Sequence, residues 1–422
     1  VNDARRPGRI LYRDAALADG RSDRLQVGMS VLVVDDLIVW IRPTDAEEDP
    51  QLDVPAGGGP ATGGRATGLE IVDAGGSTIV PGMVDGHSHL TMPGGSHWID
   101  RGGDPPEVAV ATAAHNAALM TQAGVRWARD VGAAVARDPV DGRERALSLG
   151  ARDRARGRPG WPHIRAAGTW IGGPGGLGEL GVEVADGDAL VAAAERQLDD
   201  GADFIKLYLD GADPTVCPWS VSEIERVVDA VHARGARVTA HSGRLDGAQK
   251  GVAGGVDALE HGFELDEDVA AEMARRGTFL VSTLAVFRSW ETFGATTSIE
   301  RFTDAEGRER IAARRERAEE SARIAHRAGV RIATGTDFGG GSTRANQLAW
   351  EVESLVAAGL QPWEALGAAT WRGGELLGEP DAGVLREGGP ADFALVHGDP
   401  LSDPSALWRV WRVSWSPDPV AV

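Results

Sequence analysis

The hydrophobic pattern along the chain changes character twice. Near the start, residues 10–17, 30–41 (SVLVVDDLIVWI) and 70–80 alternate or run apolar between turn residues, which predicts strands. Between them, 44–68 is rich in Gly, Pro and acids and reads as a surface loop. From Thr78 the pattern becomes apolar strand, loop and amphipathic helix, repeated. The strands predicted are 78–84, 124–131, 163–168, 203–209, 237–241, 258–261, 278–283 and 330–336. A helix is expected over 188–200 with Asp188 as N-cap. Another over 221–234 carries Ile224, Val227, Val228 and Val231 as one apolar stripe, preceded by Ser220 and Glu223 in a capping-box pattern. Further helices are expected over 344–358 and 362–377, and strands over 392–396 and 407–415.

Eight strands alternating with helices predict an α/β chain built on a (β/α)8 TIM-like barrel. The two β-rich ends are expected to pair into a small β-sandwich domain. The expected division is 1–78 and 382–422 for the sandwich and 79–381 for the barrel.

In such a barrel the chemistry sits at the C-terminal ends of the strands. Four of the ten histidines fall there: His87 and His89 in PGMVDGHSHL, His241 in VTAHSG and His261 in ALEHGF. Residues i and i+2 on a strand face one side, so His87 and His89 can reach one point. The eighth strand ends in TGTDFGG with Asp337, and the fourth carries Lys206 in DFIKLYLDG. Imidazoles and a carboxylate suit Zn²⁺ or a similar divalent ion, with Mn²⁺ and Co²⁺ as alternatives. An ammonium does not belong beside a cation. A desolvated lysine near a dication loses its proton and can take up CO₂, and the carbamate then offers two oxygens able to bridge two ions.

Composition sharpens the lysine. The 43 basic residues are 41 arginines plus Lys206 and Lys250, so arginine is the default cation here. Arginine cannot be deprotonated to form a carbamate. A net charge of −20 argues against a nucleic-acid partner, and no apolar run is long enough to span a membrane. Residues 1–13 carry no signal-like apolar core, and the single cysteine, Cys217, excludes an internal disulfide framework; a cytoplasmic location is expected. Cys217 itself lies in a polar, Pro-rich stretch and is a poor nucleophile candidate.

These motifs resemble the metal-dependent amidohydrolase superfamily, on its prolidase-like (Xaa-Pro dipeptidase-related) branch with a carbamylated lysine. PGMVDGHSHL, AGVRWARDVG, FIKLYLDG, VTAHSG, VDALEHGFELDEDVAAEMARRGTFLVSTL, TGTDFG and the tail PWEALGAATWRGGELLG carry the likeness, with 286–305 a weaker patch. The resemblance implies that His87, His89 and Asp337 bind one ion, that His241 and His261 bind a second, and that carbamylated Lys206 bridges them. It further implies attack of a metal-bridging hydroxide on an amide of a small-molecule substrate, with Asp337 as general acid and base, and a homo-oligomer. The same site chemistry extends to ester, lactone or organophosphate hydrolysis; a structural relative without catalysis is the non-enzymatic alternative.

The likeness has departures. Gly243, followed by Arg244, stands where relatives place Tyr or His, and Leu177 stands where they carry a histidine. Tyr208, two residues beyond Lys206, is expected to supply a polar contact in their place. Trp98 and Trp170, on loops after the first and third strands, are candidate pocket walls, and Arg244 and Arg288 are candidate clamps for a substrate carboxylate.

Overall fold

The computed structural model describes residues 8–46, 68–177 and 180–416. Most of the Gly- and Pro-rich stretch read as a loop, 47–67, lies outside the described residues.

Strands from both chain ends share one seven-stranded sheet. Its order is Val410–Ser414, Phe393–His397, Ser77–Pro81, Arg9–Leu17, Gln26–Val34 and Leu37–Pro43, with Leu69–Asp73 also paired to Arg9–Leu17. Alternation along Arg9–Leu17 sends Ile10 and Tyr12 into one cluster with Phe393 and Leu395, and Leu11 into another with Leu32 and Trp40. The run 30–41, expected as one strand, is a hairpin. Asp35 and Asp36 adopt φ of 50° and 69°, the geometry of a two-residue turn whose hand matches strand twist.

Eight longer parallel strands follow among the described residues: Met83–Ser88, Val125–Asp130, His163–Ala166, Phe204–Tyr208, Arg237–Ser242, Ala258–His261, Phe279–Ser282 and Ile332–Thr334. The first three form one arc and the last five another, in sequential order, the second extended by two short parallel strands, Ile171–Gly172 and Val182–Glu183. Isolated parallel bridges, Ala167 to Phe204 and Ser88 to Phe338, span the two gaps between the arcs. The first strand was expected at 78–84. The apolar run there divides instead: Ser77–Pro81 joins the terminal sheet, and the parallel strand begins at Met83, which carries His87 within it.

Local signals set several helix ends. Ser220 and Glu223 form the capping box of Val221–Ala233, whose buried face is Ile224, Val227, Val228 and Val231. The helix Gly187–Asp199 is capped by Asp186, which accepts from Ala189 N, rather than by Asp188. Asp188 lies in the first turn and pairs with Arg226. The helix expected over 362–377 is two, Pro362–Ala368 and Trp371–Leu377. Residues 286–305 are largely helical, within Ala285–Phe293 and Glu300–Thr303.

Asp392 fastens the terminal sheet to the parallel strands. Its carboxylate accepts from Arg126 Nε at 3.2 Å, His163 Nε2 at 2.9 Å and Ser416 N at 2.8 Å. Among the described residues no helix is long and apolar enough to cross a membrane.

Candidate metal centre

His87 and His89, at and just past the end of the first parallel strand, meet Asp337 beyond the eighth. Their Nε2 atoms lie 3.3 and 3.5 Å from Asp337 Oδ1. Candidate ligand atoms of the three residues all fall within 4.8 Å of one another, the spacing of groups that share an ion. Asp337 N donates to the His87 carbonyl at 2.8 Å, which locks the two strand ends together. Close approach is possible because Gly335 and Gly340 flank the aspartate: a Cβ on Gly335 would sit 2.4 Å from His87 Cβ, and one on Gly340 2.3 Å from His89 Cδ2. Asp337 and His261 themselves hold φ of 52° and 69°, left-handed values that cost non-glycine residues energy and concentrate at functional sites.

The other imidazoles continue the cluster. Ring centroids are 4.6 Å apart for His87 and His261 and again 4.6 Å for His261 and His241. Each ring is held by one nitrogen. His87 Nδ1 donates to Glu260 Oε2 at 2.7 Å, His89 Nδ1 to the Gly132 carbonyl at 2.8 Å, and His241 Nε2 to Asp210 Oδ2 at 3.2 Å. These acceptors place the proton on the contacted nitrogen and leave the opposite lone pair available to a metal. His261 Nδ1 contacts the Thr283 hydroxyl at 2.8 Å. Burial, then the Lys206 charge, lowers the pKa of His87; burial, then His87 and His241, holds His261 well below its usual value. Both rings are therefore neutral, the form a metal requires.

Lys206 lies on the fourth strand, in register with Thr239 and two residues before Tyr208. It is 2% exposed, and its Nζ has no hydrogen-bond partner among the described residues. Burial pushes its pKa down to about 8, against the pull of Glu260. An orphaned buried amine is costly unless something absent from the protein atoms completes it. The unpartnered Lys206 amine fits a site that a further group would complete.

Sequence reasoning missed the residues that orient these ligands. Glu260 is fully buried and accepts from His87, Arg129 and Thr239. Its signal was a lone acid inside an apolar strand, ALEH. Asp210, in LYLDG, accepts from His241, Ser242 and Gly243 N. Asp85 ties the first strand to Thr336 through the hydroxyl at 2.6 Å and the backbone N at 3.0 Å.

The substrate-binding candidates divide. Tyr208 stacks on His241 with centroids 4.0 Å apart and planes 7° from parallel; burial, then the charges of Asp210 and Asp337, push its hydroxyl up to about 12. Trp170 lies 5.1 Å from the His89 ring. Arg244 directly follows Gly243 and pairs with Glu264 at 2.6 Å. Arg288 is engaged by Glu353 at 2.8 Å, and Trp98 packs against Trp290, Phe302 and Ile311. Cys217 is a buried thiol whose pKa burial pushes up to about 11, which suits no nucleophile.

The chain belongs to the Amidohydrolase family, whose model matches residues 78–414. It is a hydrolase of carbon–nitrogen bonds with an α/β, TIM-barrel-like fold, from a family that is generally metal-dependent. An uncharacterized protein of Mycobacterium tuberculosis is 32% identical over 349 residues, covering 79% of this chain and 82% of the relative. Among solved structures, a Xaa-Pro dipeptidase with methionine bound in its active site is similar at a TM-score of 0.79 and 24% identity, covering 97% of this chain and 100% of that one. A prolidase complexed with N-methylphosphonate-L-proline is similar at 0.77 and 23% identity, covering 96% and 97%.

Proposed function

We propose that the protein is a binuclear metal hydrolase that cleaves the amide bond of a small molecule such as a dipeptide or an N-acyl amino acid. The observation that carries this reading is Lys206, buried without a hydrogen-bond partner and within electrostatic reach of His87, His261 and Asp337. As a neutral amine its Nζ attacks CO₂; the N–C bond forms, a C=O electron pair moves to oxygen, and the nitrogen sheds a proton. The resulting carbamate would bridge two divalent ions, with His87, His89 and Asp337 on one and His241 and His261 on the other. Zn²⁺ is the expected metal, and Mn²⁺ or Co²⁺ suits the same donors. When bound, such ions supply a water ionised near neutral pH and polarise the carbonyl it attacks.

The chain's own groups do the rest. Asp337 takes the proton of the attacking water on its carboxylate and delivers it to the leaving nitrogen, so the amine departs neutral. Its contacts to His87 and His89 hold that carboxylate in place. Trp170 and Tyr208 border the imidazoles from two sides and wall the space where the substrate sits. Arg244, beside the end of the fifth strand, would have to exchange its pairing with Glu264 to meet a substrate carboxylate.

The finer architecture follows the same reading. The two bridges between the arcs support a closed (β/α)8 barrel. The strand Arg9–Leu17 pairs with Leu69–Asp73 along its first half and with Ser77–Pro81 along its second, with register shifts between. A strand that changes neighbour at a bulge is how one sheet folds over into a sandwich.

The test is a turnover panel on metal-loaded protein: dipeptides, N-acyl amino acids, lactones and aryl phosphates. Amides are expected to turn over, with loss on chelation. Activity confined to lactones or aryl phosphates would replace the amidase reading with the ester, lactone or organophosphate alternative.

A further inference from the structure

The parallel strands have a second end. Away from the imidazoles, around the residues that begin the fourth to seventh strands, lies a cavity of about 480 Å³, within the size range of small-molecule sites. Four arginines line it: Arg129, Arg165, Arg237 and Arg331. Carboxylates line it too, but each is already engaged. Asp203 pairs with Arg152 at 2.8 Å, Glu375 with Arg372 at 2.8 Å and Glu379 with Arg165 at 2.7 Å. Asp257 accepts from His232 at 2.9 Å and Val238 N at 2.8 Å. Arg129, in turn, is held by Glu260.

Two guanidiniums remain. Arg237 Nη1 donates only to main-chain carbonyls, of Glu375 at 3.0 Å and Leu376 at 2.8 Å. Arg331 donates to the Gly277 carbonyl and lies over the Phe279 ring, 4.0 Å from its centroid. Among the described residues neither is within salt-bridge distance of a carboxylate, though Glu375 acts on Arg331 from farther off. Burial lowers the Arg331 pKa; Glu375 pulls against it, and the repulsion of Arg372 and Arg237 adds to it. Guanidinium forks bind carboxylate and phosphate oxygens through paired, charge-assisted hydrogen bonds. We propose that this cavity binds a small dianion, carrying carboxylate or phosphate oxygens, between Arg237 and Arg331. The site is separate from the metal centre. It is also not isolated from it: Arg129 runs from the cavity wall to Glu260, which holds His87.

The test uses the metal-loaded full chain with inorganic phosphate and succinate as probes, followed by calorimetry. Wild type is expected to show a saturable component that the double variant Arg237→Gln/Arg331→Gln binds at least about 10-fold more weakly, as the loss of two charge-assisted contacts requires. Identical isotherms in the two proteins would mean that the anions bind at the metals alone, and would overturn the proposal. A selenate soak of wild-type crystals decides the matter if the double variant folds poorly. An anomalous peak between Arg237 and Arg331 supports the site, and peaks elsewhere only, or none, refute it.

Discussion

The His87 ring and the Glu260 carboxylate form a fully buried pair, 2.7 Å apart, that joins the first parallel strand to the sixth. Glu260 spends its other oxygen on Arg129 and Thr239, so one side chain both orients a candidate ligand and neutralises a buried guanidinium. Burial raises the Glu260 pKa, but the charges of Arg129 and Lys206 and the contact with His87 outweigh it and hold it well below the usual value, as a carboxylate.

Glu260→Gln keeps an acceptor for His87 but removes the charge. Metal affinity should fall by roughly 10- to 100-fold, as for other residues that support metal-binding histidines. Titration with a competing chelator measures this. Unchanged affinity would show that the pair serves folding alone.

Tyr208→Phe preserves the stack on His241 and deletes the hydroxyl. Metal content should stay at the wild-type level while kcat/KM drops by roughly 10-fold, the worth of one hydrogen bond to developing charge. Equal kcat/KM for the two proteins would assign Tyr208 to packing.

Asp186→Ala removes the N-cap of Gly187–Asp199 and should cost about 1 kcal/mol in denaturant unfolding. Asp188→Ala, in the first turn of the same helix, should cost less. Activity should be unaffected by either. The reverse order of stabilities would contradict the capping geometry.

Asp392 sets an acid limit. Burial raises its pKa, but Arg126 and the hydrogen bond from His163 prevail and lower it from 3.8 to about 2. A depressed folded pKa contributes stability that is present above 3.8 and is lost as pH falls through about 2. The shift corresponds to about 2 kcal/mol. Between those pH values the unfolding free energy of wild type should fall more steeply than that of Asp392→Asn. Parallel pH profiles would show that the contacts at Asp392 add no net stability.

Much of this arrangement was legible because the strand ends carry it locally. H-x-H, A-H-S-G, E-H-G and T-D-F each sit where an apolar strand stops, and parallel pairing brings such ends to one side. What escaped was cross-strand. Glu260 and Asp210 acquire meaning only when His87 and His241 are seen beside them. The run around Pro81 reads as one strand although its halves join different sheets, because a hydrophobic pattern reports burial and not the neighbour. Asp35–Asp36 hid a hairpin because acids, not glycine, occupy the left-handed turn. With 41 arginines in the chain, composition could not single out Arg244 from Arg288; the ion pairs with Glu264 and Glu353 could be seen only in three dimensions.

The central claim is that Lys206, as a carbamate, holds two ions together, and the most direct measurement is the metal content of Lys206→Arg beside wild type, each purified with Zn²⁺ and bicarbonate. Two divalent ions per wild-type chain are expected. In Lys206→Arg, binuclear binding and activity should be lost, because a guanidinium stays charged and cannot react with CO₂; in Lys206→Ala, short carboxylates should restore part of both. A Lys206→Arg protein that retains two ions and wild-type turnover would contradict the account.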